Sequence, residues 1–249
     1  MKVAVLAITK HGLAQAARIL AAQPEARLFC PDKFASALAA FPSKLCQVYS
    51  GKTAAQVPAL LAGFDALICV VSIGAVVRLI APHLGDKASD PAVLVVDEAG
   101  QFVIPVLSGH QGGANQLAGQ LAAALGATPV LTTASDVRQT LAVDLLGREW
   151  GWRIEASPAA LVHASAAMVN EETVALVQEA GESDWWSAHA NGRSGPLPAN
   201  LRHFATLEDV PLAEVAAVLW ISRRPLPAEL TGALAGRCIV YRPGDAACA

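Results

Sequence analysis

Apolar runs alternate with helical stripes through the first half of the chain. Val3–Ile8 is an unbroken apolar run, followed by TKHG and then LAQAARILAAQ, whose apolar positions recur at helical spacing. RLFC, LCQVYS and DALICVV repeat the strand pattern, each followed or preceded by a helical stretch: DKFASALAAF, TAAQVPALLAGF and AVVRLIAPHL. This βαβα rhythm predicts an α/β layered fold with a mainly parallel sheet. PAVLVV and FVIPVL interrupt it, because only DEAGQ separates them, and the pattern predicts one β-hairpin with a glycine turn. A helix over 112–125 follows, ending at Gly126 as a C-cap, and then a strand over 129–132.

The pattern changes after Asp136. LAVDLLGREWGW reads as helical, RIEAS as extended, and SPAALVHASAAM as a helix with proline just inside its start. Residues 182–200 are turn-rich, and VAAVLWISRR and GRCIVYRP are further strands. A boundary near residues 137–143 separates two α/β domains, 1–140 and the smaller 141–249, with a ligand cleft expected between them.

Composition narrows the function classes. Of 249 residues 54% are apolar, yet no stretch reaches the ~18 uninterrupted apolar residues of a spanning helix. The N-terminal run is too short for a signal peptide and reads as a buried strand, so a cytoplasmic protein without membrane attachment is expected. Five scattered cysteines without a Cys-x-x-Cys pair argue against a disulfide framework or a zinc site. A net charge of −3 with no basic tract argues against nucleic-acid binding.

The chemistry-bearing residues gather around SGHQGGAN. Strand 102–107, helix 112–125 and strand 129–132 form a βαβ unit, so Ser108–His110 and Thr132–Asp136 fall on one sheet edge. Free N–H groups at the helix start favour a negative group there. Gly109, Gly112 and Gly113 permit close approach to a ligand, or simply a tight turn, and Asn115 adds an amide. His110 is a candidate general base, or a histidine that bonds a loop carbonyl. Thr132 and Thr133 suit ligand contact, and Asp136 suits capping or orienting His110. Asp97 and Glu98, in the hairpin turn, belong at the edge opposite His110 and are read as turn formers. Ser72–Gly74 open a helix after a buried strand, and the return path of APHLGDKASDP decides their edge and that of Lys87 and Asp90. Arg78 suits a substrate carboxylate or a structural ion pair; Lys10 and His11 suit a solvated rim. Trp185 and Trp186 are read as packing residues, and His163, His189 and His203 as structural. No full Walker or Rossmann fingerprint supports a nucleotide site.

SIGAVVRLIAPHLGDKASDPAVLVVDEAGQFVIPVLSGHQGGANQLA closely resembles the defining segment of the CbiG family of anaerobic cobalamin biosynthesis, and LGATPVLTTASD continues the match. The resemblance is strong from Phe64 to Asp136 and covers the N-terminal and middle regions. It implies cobalt-precorrin-5A hydrolase activity: a δ-lactone on the corrinoid opens and acetaldehyde leaves, giving cobalt-precorrin-5B. Cobalt then belongs to the substrate, and no protein-bound cofactor or metal is implied. Carried onto this chain, Gly74, Gly109, Gly112, Gly113, Asn115, Thr132, Thr133 and Asp136 shape the pocket. Arg78 and Lys87 meet substrate carboxylates, and His110 is the proposed base. Longer family members add a CobE-like domain after an Arg-Pro junction; here the sequence stops shortly after Arg242–Pro243. The CobE-like domain is then expected either as a separate partner or as a part cut from this chain, and the alternative function is a non-catalytic corrinoid-binding module.

Overall fold

The computed structural model describes residues 1–86, 89–110, 112–134, 138, 140–186 and 196–244. The chain divides into two compact units, Met1–Leu131 and Thr132–Ala249.

The first unit is built on β1 (Val3–Ala7), β2 (Arg27–Pro31), β3 (Cys46–Tyr49), β4 (Ala66–Val70), β5 (Ala92–Val96), β6 (Phe102–Leu107) and β7 (Thr128–Pro129). Their order in the sheet is β3-β2-β1-β4-β5-β6-β7. The first five run parallel. β6 is antiparallel to β5, and β7 follows β6 in parallel. Every residue of β1, β4 and β5 is buried. That is why these strands read as continuous apolar runs: both faces of the sheet are covered.

Val5, Ile68 and Leu94 lie abreast in register, on the face packed by α1 (Lys10–Ala22) and α4 (Ala114–Leu125). Leu6, Cys69 and Val95 face the other way, against α2 (Val57–Gly63) and α3 (Ile73–Ile80). Each fully buried Leu or Ile in these layers contributes about 1.5–3 kcal/mol of transfer free energy. In α4 the buried residues Ala114, Leu117, Ala118, Leu121, Ala122 and Leu125 form one stripe at helical spacing. Gly126 ends the helix in the left-handed conformation. Thr9 caps α1, its hydroxyl accepting from the Gly12 N–H at 2.9 Å.

Two expectations for this unit shift. Asp32–Ala40 winds as a 3-10 helix instead of an α-helix. β7 is two residues long, where a strand over 129–132 was expected.

The second unit has β8 (Arg153–Glu155), β9 (Val174–Gln178), β10 (Leu201–Phe204), β11 (Ala217–Ile221) and β12 (Cys238–Arg242), in the order β10-β9-β11-β12-β8. Only β8, on β12, pairs antiparallel. α5 (Pro158–Val169) packs on one face, with Ser157 capping it through the Ala160 N–H. α6 (Ala228–Leu234) adds Leu234 to the core of the other face.

Residues 141–152 do not form the expected helix. They run through turns into a 3-10 helix at Arg148–Trp150, bounded by Gly147 and Gly151, both left-handed. The segment wraps the Trp152 ring, and its apolar residues Leu141, Val143 and Leu146 enter the core without a helix. Tyr241 donates its hydroxyl to the Val143 carbonyl at 2.7 Å, fastening this wrap to β12. No described helix is long and apolar enough to cross a membrane.

Candidate functional site

The Ser108–Asn115 segment is a turn fastened by its own backbone. Ser108 has φ 55°, a left-handed conformation that costs a non-glycine residue about 1–2 kcal/mol. It is held there by its hydroxyl, which donates to the Asp90 carbonyl at 2.8 Å. Ala114 N–H donates to the Ser108 carbonyl, Asn115 N–H to the Gly109 carbonyl, and Gly113 N–H to the His110 carbonyl. The α4 start therefore differs from the expected array of free donors: the N–H groups of Ala114 and Asn115 are bonded within the loop. His110 is half-buried on this segment. Backbone strain over-determined by surrounding bonds is a recurrent property of functional turns.

The glycines here answer to packing. A Cβ on Gly109 would lie 2.7 Å from Asn115 Oδ1. One on Gly112 would lie 2.4 Å from the Ser108 Cβ and 2.9 Å from its carbonyl oxygen. Gly112→Ala is therefore expected to destabilise the first unit by roughly 1–3 kcal/mol, the usual range for overpacking. Urea denaturation of the variant checks this; an unchanged midpoint would mean that the loop does not close on Ser108.

The strand directions separate the remaining sequence-predicted residues. β6 runs against β5, so its end at Ser108 lies beside the start of β5, where the Asp90 carbonyl meets it. Gly74 and Arg78 lie on α3, beyond the other end of the parallel strands. That end also carries Lys10 and His11, exposed at the start of α1, and the Asp97–Gly100 turn. Thr9 reaches across it, donating its hydroxyl to the Glu98 carboxylate. The two edges are a five-residue strand apart, about 16 Å. Asp90 thus lies at the His110 edge, divided from Ser72–Gly74. Arg78 donates to the Gly74 carbonyl at 2.8 Å and makes no ion pair among the described residues. Asp97 accepts from the N–H groups of Ala99, Gln101 and Phe102, as a turn former does. Thr132 and Thr133 open the second unit. Lys87, Asp136 and His189 lie outside the described residues.

Other candidates have structural partners. Trp185 is buried in the second unit's core and donates its indole N–H to Gln178. His163 donates to the Ala216 carbonyl at 3.0 Å. Burial pushes the thiols of Cys69 and Cys238 up to about 12, so neither is a nucleophile at neutral pH. Among the described residues no group of three His, Cys, Asp or Glu side chains is placed to hold a metal ion.

Sequence reasoning singled out no site residue beyond Asp136. The second unit nevertheless gathers Glu179, Ser222, Arg223 and Arg224 around one cleft at the ends of β9 and β11. The signal available was SRR directly after the apolar run ending at Ile221; β9, which brings Glu179, was not distinguished as a strand.

Two family descriptions match the chain. "Cobalamin synthesis G N-terminal" covers residues 55–136 and "Cobalamin biosynthesis central region" covers residues 141–243. A protein of Priestia megaterium named cobalt-precorrin-5A hydrolase is 41% identical over 240 residues, which is 96% of this chain and 62% of that protein. A protein of the same name from Salmonella typhimurium strain LT2 is 39% identical over 162 residues, 65% of this chain and 43% of that protein. The chain thus spans less than two thirds of the length of either relative. The solved structure of a cobalamin biosynthesis protein G homolog from Sulfolobus solfataricus shares the fold, with a TM-score of 0.51 and 16% identity, over 97% of this chain and 60% of that one. With both regions matched in order along one polypeptide, the chain belongs to the CbiG family, of which it carries the N-terminal and central regions.

Proposed function

We propose that the chain acts in cobalamin biosynthesis as a cobalt-precorrin-5A hydrolase, opening the δ-lactone and releasing acetaldehyde to give cobalt-precorrin-5B. The observation that carries this reading is the strained, self-bonded turn that holds His110 half-buried inside the matched N-terminal region. In the proposed reaction His110 takes a proton from water as it attacks the lactone carbonyl, and the ring oxygen leaves as the carboxylate forms. The freed hydroxyl is on the extruded carbon. Loss of its proton drives carbon–carbon cleavage, with acetaldehyde leaving and the electron pair passing to the macrocycle. Gly109, Gly112, Gly113 and Asn115 shape the turn, Thr132, Thr133 and Asp136 follow from the chain beyond β7, and Lys87 meets a substrate carboxylate. Gly74 and Arg78 are left out of this site, since they lie a strand length from His110. Cobalt enters as part of the substrate.

A second reading has one observation in its favour. The N–H groups of Ala114 and Asn115 are already bonded, which removes them as donors to an oxyanion. On that reading the chain binds the corrinoid and a separate CobE-like protein completes the site. Incubating the chain with cobalt-precorrin-5A, with and without a CobE-like protein, separates the two. Acetaldehyde from the chain alone is the result expected of the hydrolase. Corrinoid binding with acetaldehyde formed only when the second protein is added would replace it with the binding module.

A further inference from the structure

The sheet of the second unit changes direction between β9 and β11: from β9 the chain goes outward to β10, and from β11 to β12 on the other side. In parallel sheets the crevice at such a point, beyond the carboxyl ends of the strands, is where ligands bind. Here it is a cleft of about 460 Å³ lined by Glu179, Thr206, Glu208, Ser222, Arg223 and Arg224.

The cleft sets two arginines against two glutamates of unequal hold. Glu179 is largely buried and takes Arg224 in a two-pronged contact, Nε at 2.9 Å and Nη2 at 2.6 Å, with the Ser222 hydroxyl at 2.7 Å. Burial would raise its carboxyl pKa, but these donors and the Arg224 charge outweigh that and hold it below the usual carboxylate range. Glu179 and Arg224 thus neutralise each other and fix the guanidinium in place. Trp220 lies beneath, with the guanidinium carbons of Arg224 and Arg242 at 5.7 and 5.5 Å from its ring centroid. Its buried indole N–H has no hydrogen-bonded acceptor among the described residues, although it is near enough to Glu179 to help keep that carboxyl ionised. Arg223 is exposed, and its only described bond is to the Gly244 carbonyl at 2.7 Å, so its charge has no carboxylate partner among the described residues. Glu208 meets Arg224 only at 3.3–3.4 Å, from a half-exposed side chain. Those contacts are long for charge-assisted bonds, which close to about 2.7–2.9 Å.

We propose that this cleft is a carboxylate-binding subsite, in which a carboxylate of the ligand displaces Glu208 and sits between Arg223 and Arg224. The proposal rests on the reading of the chain as a corrinoid protein, and it names where one peripheral carboxylate of the macrocycle is held. Arg224, fixed by Glu179, offers a preorganised fork, and once Glu208 is displaced the two arginines outnumber the one remaining glutamate.

Binding of cobyrinic acid, a corrinoid polycarboxylate, and of its fully methylated ester tests it, followed by the corrinoid absorbance. The wild type is expected to prefer the acid. Arg223→Gln and Arg224→Gln should each weaken acid binding by about tenfold and leave ester binding alone, while Glu208→Gln should tighten acid binding severalfold. If Arg224→Gln fails to fold because Glu179 is left unpaired, Arg223→Gln decides alone, since among the described residues its side chain meets only the Gly244 carbonyl. Unchanged acid binding in the arginine variants overturns the subsite and leaves the corrinoid reading standing. Failure of the wild type to bind either corrinoid overturns both.

Discussion

Replacing Gly147 with alanine will destabilise the second unit by roughly 2–5 kcal/mol, a large loss against the ~5–15 kcal/mol of a typical domain. Two effects add. Gly147 has φ 77°, where an alanine costs about 1–2 kcal/mol. Its new Cβ would also lie 2.1 Å from Cε3 and 2.3 Å from Cδ2 of Trp152. That ring cannot retreat easily: its indole N–H donates to Glu182 at 2.9 Å, and Gly181 abuts its far edge, where a Cβ would lie 2.6 Å from Cζ2. The backbone must then move, and with it the Leu141–Leu146 wrap that Tyr241 fastens through Val143. Urea denaturation followed by far-UV circular dichroism measures the loss. A change below about 1 kcal/mol would mean that Gly147 does not close on the Trp152 ring.

The same segment shows where the sequence was legible and where it was not. LAVDLLGREWGW has the apolar content of a helix. Tertiary packing decided otherwise, because both glycines adopt left-handed conformations around a bulky ring. Strands buried on both faces were legible from composition alone, as with β1, β4 and β5. β9 and β10 were not distinguished, since each is short and lies beside turn-rich or alanine-rich sequence. At the candidate site, GHQGGAN marked the turn, and the antiparallel pairing of β5 with β6 puts Asp97 and Glu98 at the edge opposite His110. What the pattern could not show is that Ser108 takes a left-handed conformation or that its carbonyl occupies the Ala114 N–H. Those depend on Asp90, eighteen residues away, arriving to accept from the Ser108 hydroxyl.

His110 carries the largest expected effect on turnover. A positioned proton acceptor contributes about 10²–10⁴-fold, so His110→Ala should lower acetaldehyde release by at least about a hundredfold. Alanine retains the backbone bonds that Ser108, Gly109 and His110 make to the start of α4. The urea midpoint of the variant, measured beside its turnover, separates a lost proton acceptor from a lost fold.

The most direct measurement is acetaldehyde formed from cobalt-precorrin-5A by the wild type and by His110→Ala, at equal corrinoid occupancy and matched stability. The account predicts release by the wild type and near-complete loss in the variant. Turnover by His110→Ala close to that of the wild type would contradict it, and would remove the His110 turn as the reacting centre.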